Sequence, residues 1–124
     1  MAEYRLPYDP SAAGIARTKV DDELTAVLDS LRVDDSRLMV TELVSNAVRH
    51  APPEPDGSII LAIEHEPTLV RIVVRDGGSH MDPNDVTFHA HDDHFGLHVV
   101  DTLADEWGFS IDGDKGVWFE VRTG

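Results

Sequence analysis

The sequence has no cysteine among its 124 residues, which excludes disulfides, thiol nucleophiles, iron–sulfur clusters and cysteine-ligated zinc. It is also poor in positive charge. Ten Lys and Arg stand against 24 Asp and Glu, and the formal net charge of −14 opposes contact with the phosphate backbone of DNA or RNA. No apolar run approaches the roughly 18 residues that a bilayer span needs, so no membrane partner is expected. The opening stretch, MAEYRLPYDP, lacks a basic start and an apolar h-region, and cytoplasmic residence is the default expectation. Repeats and low-complexity tracts are absent too, and Pro and Gly punctuate the chain at intervals instead of clustering into a linker. A single domain over residues 1–124 follows as the expectation.

What is present is alternating local structure. After a short opening stretch suited to an edge strand, Ser11 is placed to cap a helix running to about Leu31, with Ile15, Val20, Leu24, Val27 and Leu28 near helical spacing. A second helix is expected from Asp34 or Asp35, with Leu38, Met39, Leu43, Ala47 and Val48 at three- and four-residue steps, until Pro52 and Pro53 stop it. The period then changes. SIILAIEHE and LVRIVVRD are rich in β-branched residues and are separated by Pro67 and Thr68, which predicts an antiparallel hairpin. A polar stretch from Gly77 to about Phe95 is too long for an ordinary turn and reads as a functional lid. GLHVVDTLADEW suits a third helix, and FSIDGDKGVWFEV closes as two strands around Asp112 to Gly116. This order lacks the regular β-α-β rhythm of a doubly wound fold. The expected class is α+β, a two-layer sandwich of about three helices on a mainly antiparallel mixed sheet.

Three places carry groups suited to chemistry. Glu42, Asn46 and His50 recur at i, i+4 and i+8 on the second helix, with Arg49 one step aside, so one helix wall is polar while Leu43, Ala47 and Val48 turn to the core. At Val74-Arg75-Asp76-Gly77-Gly78 an apolar strand ends in a carboxylate that can accept a hydrogen bond from an exocyclic amine, followed by two glycines that allow close backbone approach to a ligand. At His94-Phe95-Gly96-Leu97 a glycine opens a helix, where free N–H groups and the helix dipole favour phosphate. Taken one at a time, these are also a solvated helix face, a strand-end turn and a helix start.

In combination and in this order they resemble a known family. ELVSNAVRHA (Glu42 to Ala51), VRDGGSHMDP (ending at Pro83) and FGLHVVDTLADEWGF (Phe95 to Phe109) look like the N box, G1 box and G2 box of the GHKL ATP-binding superfamily, which includes gyrase, the histidine kinases and a heat-shock chaperone. The chain most resembles that superfamily's smallest members, the bacterial anti-sigma-factor serine/threonine kinases. KGVWFEV, Lys115 to Val121, is similar to their last strand, so the resemblance runs from about Tyr4 to Val121.

The resemblance implies the Bergerat ATP-binding fold, with ATP and Mg²⁺ as cofactors. It implies Asn46 as the Mg²⁺ ligand and Glu42 as the general base, roles their chemistry suits: an amide oxygen is a hard donor, and a carboxylate beside the phosphates can take a hydroxyl proton. Asp76 is expected to read the adenine amino group, Gly78 to pack beside the base, Met81 to touch the ring, and Gly96 and Leu97 to form the phosphate-binding turn. Arg49 and His50 extend the nucleotide-facing stripe. Implied partners are an anti-anti-sigma protein of the STAS type, which would be phosphorylated, a sigma factor, which would be sequestered, and a second copy of the chain.

Two positions depart from the family pattern. His94 stands where a second glycine is usual before the Gly-Leu pair, and Gly116 stands where a threonine near the adenine is usual. They motivate an alternative: a catalytically weak or inactive module of the same fold, acting by protein contact alone. Five of the seven histidines, including His91, His94 and His98, fall in the lid and the turn after it, and a transition-metal site there is a further, weaker reading.

Overall fold

The computed structural model describes residues 2–77, 95–110 and 116–123. Eight elements follow one another: β1 (Ala2–Pro7), α1 (Ala12–Leu24), α2 (Ser30–His50), β2 (Ser58–Glu66), β3 (Leu69–Arg75), α3 (Phe95–Leu103), β4 (Glu106–Ser110) and β5 (Gly116–Arg122). The strands form one open sheet in the order β1-β2-β3-β5-β4. The sheet expected to be mixed is antiparallel at each of these four described pairings. The three helices lie on one face of it, giving the α+β sandwich that the sequence pattern predicts.

β2 shows why the helices cover only one face. Its first six residues are all buried, yet only Ile59, Leu61 and Ile63 join the core with Leu6, Met39, Val70, Ile72 and Phe119. Ile60 and Ala62 alternate to the opposite face. They are shielded there by long side chains. Arg5 and Arg75 stand directly beside Ile60 across β1 and β3, and are ion-paired to Asp56 and Glu3. Farther along, Arg71 lies 3.7 Å from Glu120 and 4.5 Å above the Trp118 ring. Arginine stems thus act as an apolar cover; the charged end of Arg5 stays in water, whereas Arg75 is largely buried, its Nε included.

The helical layer departs from the sequence expectation in its boundaries. The first helix ends at Leu24 rather than Leu31, and α2 starts at Ser30 rather than at Asp34 or Asp35. The cause is a cap. The Asp29 carboxylate accepts the Arg32 N–H at 2.8 Å, satisfying one of the free donors at the start of α2 and holding its own carboxyl below the usual carboxylate range. Leu28 turns inward at the break, so apolar residues continue across it and mimic an unbroken helix. Ser11 occupies the N-cap of α1, but its hydroxyl bonds Asp9 in the preceding turn instead of the helix. α3 also stops early, at Leu103. From Asp105 the backbone bonds Glu120 of β5 at 2.9 Å, so Glu106 and Trp107 belong to β4 and not to the helix expected to reach them.

Ties between layers are polar at their margins. The Tyr4 hydroxyl donates to Glu23 at 2.8 Å, which raises the pKa of that phenol, and Lys19 lies 4.9 Å from the Tyr4 ring centre. Arg17 donates to the Thr41 hydroxyl at 3.0 Å, and Arg37 lies 3.5 Å from Asp21, so α1 and α2 are held together above their shared core.

Candidate functional site

The C-terminal half of α2 forms the polar wall that the sequence predicts. Glu42 and Asn46 are half-buried and Arg49 and His50 exposed, while Leu43, Val44 and Ala47 are buried beneath them. Arg49 donates to Asn46 Oδ1 at 2.8 Å, so the amide oxygen, the atom a hard cation would use, faces outward toward positive charge. The helix stops where proline requires it. Ala51 bonds back to the Ala47 carbonyl at 3.0 Å, Pro52 has no N–H to continue, and the Tyr8 hydroxyl donates to the Ala51 carbonyl left over.

Asp76 follows β3 and is half-buried at the sheet end. The next residue joins that end to α2. Gly77 N–H donates to the Pro52 carbonyl at 2.9 Å, and a Cβ at Gly77 would lie 1.8 Å from the Pro53 oxygen. At Gly77 a close backbone approach is made to the protein's own loop. The loop that ends the Asn46 helix is thereby joined directly to the Asp76 strand end. Gly78 and Met81 lie outside the described residues.

Gly116 has a similar role from β5. It pairs with Arg75, and a Cβ there would lie 2.1 Å from the Val74 oxygen. The threonine of the family pattern has no room at this position, so its replacement by glycine belongs to how β5 packs against β3.

α3 packs along α2 through Leu97 and Val100, both buried. Gly96 lies in its first turn. Because the Leu97 side chain is in the core, that residue has only its backbone to offer a phosphate, and its apolar group fixes where the helix start is held. His98 is exposed. The other histidines of the expected metal cluster, His91 and His94 among them, lie outside the described residues. Among the described residues no group of three or more His, Asp and Glu side chains is arranged to hold a metal ion.

Sequence reasoning missed one concavity. A cavity of about 330 Å³ on the helix-free face is lined by Glu3, Arg5, Glu54, Pro55, Asp56, Ile60 and Arg75. Asp56 in its wall accepts from the Ser58 hydroxyl and backbone N–H, and these bonds, with Arg5, hold its carboxyl below the usual range. Two of its three carboxylates are already paired, Asp56 with Arg5 and Glu3 with Arg75. The cross-strand register that assembles it is not readable from local sequence.

A polar helix wall, a carboxylate at an adjoining strand end and a third helix packed along the second, over an antiparallel sheet, are consistent with an ATPase fold of this kind. The chain belongs to the histidine kinase-like ATPase domain family, whose family model matches residues 6–122. ATP binding comes with that membership. No curated protein matches the chain.

Proposed function

We propose that the protein is an ATP-dependent serine/threonine kinase of the anti-sigma type, which phosphorylates a STAS-type antagonist protein and sequesters a sigma factor when that antagonist is unavailable. The observation that carries the reading is the junction at Gly77, which joins the helix of Glu42 and Asn46 to the strand end of Asp76. Base recognition and phosphate chemistry would then be joined through this contact.

In this reading the Asp76 carboxylate accepts a hydrogen bond from the adenine amino group. Glu42, one turn before Asn46, takes the proton of the incoming hydroxyl. The outward Oδ1 of Asn46 fits a Mg²⁺ ion, which when bound offsets phosphate charge. Arg49, released from that oxygen, is free to meet the phosphates, and backbone N–H groups at Gly96 and Leu97 receive their oxygens. Gly78 and Met81 would complete the adenine pocket, and His50 the outer end of the stripe. A second copy of the chain is the expected assembly partner.

Calorimetric titration with ATP, with and without Mg²⁺, tests this reading. Saturable binding that depends on Mg²⁺ and is lost in Asn46→Ala is expected. At a ligand concentration of ~100 times Kd, thermal unfolding should also register ~2.7 kcal/mol of added stability. Magnesium-independent binding equal in the two proteins would remove the assigned role of Asn46, and no binding at millimolar Mg-ATP would remove the kinase reading.

A further inference from the structure

Two of the three large apolar side chains that the described fold leaves exposed are on one helix. Leu31 is 69% and Leu38 46% exposed, seven residues apart on α2. Seven residues are two helical turns, about 10.5 Å, so both leucines stand on one ridge. Glu42 follows Leu38 by a further turn of about 6 Å on the same ridge, and Arg49 continues it. The leucines therefore lead along a straight helix into the site described above.

Their surroundings carry an excess of negative charge. Arg32 is paired with Asp29 and Arg37 with Asp21, whereas Asp34, Asp35 and Glu42 have no ion pair or hydrogen bond among the described residues. An apolar ridge flanked by uncompensated carboxylates suits a surface that is apolar at its centre and basic at its edges. A second copy is the wrong occupant, because two ridges of a chain with net charge −14 would set carboxylate against carboxylate.

We propose that Leu31 and Leu38 dock an amphipathic helix of the phosphoacceptor protein, apolar toward the leucines and Lys- or Arg-rich beside Asp34 and Asp35. This rests on the kinase reading for the identity of the occupant. Docking there would bring a hydroxyl-bearing segment of the partner along α2 toward Glu42, so the ridge would set which protein is phosphorylated without touching ATP. Apolar anchors with a charged rim are the usual chemistry of helix recognition.

The probe is a fluorescent helical peptide with leucines at i, i+4 and i+7 and lysines on both flanks, with a glutamate-flanked peptide as control. Anisotropy is measured without nucleotide at physiological salt. The lysine peptide is expected to bind and the glutamate peptide not. The double variant Leu31→Ser, Leu38→Ser should weaken binding about tenfold or more, since each leucine loses an apolar contact. Asp34→Asn with Asp35→Asn should weaken it further and flatten its salt dependence. Equal binding by wild type and leucine variant overturns the proposal, because the attraction is then that of a generally acidic surface. So does conversion of a dimer to monomer by the same leucine substitutions in sedimentation, because the ridge is then a self-interface. ATP titration of the leucine variant should match wild type. Lost ATP binding in both proteins with peptide binding intact would sink the kinase reading while leaving the ridge.

Discussion

Gly116 and Gly77 are the residues whose roles are least apparent in isolation, since each gives way to a backbone carbonyl far along the chain. Their contacts at 2.1 Å and 1.8 Å to a would-be Cβ leave no ordinary room for a side chain. Gly77→Ala and Gly116→Thr are each expected to lower stability by about 1–3 kcal/mol in urea unfolding, the usual cost of overpacking. Gly116→Thr should bring no gain in ATP affinity by calorimetry. A threonine variant as stable as wild type, with tighter ATP binding, would show that β5 is not packed this closely. Glu42, Asn46 and Asp76 were legible because helical spacing and a strand end are local patterns. The partners of Gly77 and Gly116 were not, because Pro53 and Val74 meet them only after the sheet has formed.

Elements were legible in kind and less so in extent. The β2–β3 hairpin and the proline stop of α2 appear where the sequence puts them, because β-branched runs and missing N–H groups act locally. The start of α2 was misplaced because the signal that decides it, the Asp29 side chain, is a single residue set inside continuous apolar periodicity. Asp29→Ala should therefore lower the Tm, and the loss should depend on pH in a definite sense. The folded carboxyl is held below its ordinary value of 3.8, so its stabilisation is complete at neutral pH. It declines as pH falls below the ordinary value and through the lowered one, because protonation then accompanies loss of the bond to Arg32. In a series of thermal melts, the Tm difference between wild type and variant should be constant from neutral pH to about pH 5 and shrink in stronger acid. A difference that grew toward acid would contradict the cap assignment.

At the scale of the whole molecule, the acid excess that set aside nucleic acid as a partner has a cost of its own. With a net charge of −14, in which the arginines of the helix-free face are already counted, the folded chain repels itself. Tm is expected to rise as NaCl goes from ~0.01 M to ~0.1 M, where the screening length falls from about 30 Å to about 10 Å. A falling Tm would mean that the ion pairs outweigh the repulsion. Fold class and helix number were legible from composition and periodicity, whereas the strand order needed the pairing of segments remote in sequence. That remoteness also sets a timetable for folding. β1 is synthesised before the other strands of this sheet, yet its ladder from Ala2 opposite Ile63 to Pro7 opposite Ser58 waits for a strand that emerges only after α1 and α2. β2 and β3, by contrast, close across the two residues Pro67 and Thr68. The entropy of the long closure falls on β1, so the hairpin is the natural seed and β1, made before it, is among the last strands of the sheet to find its place.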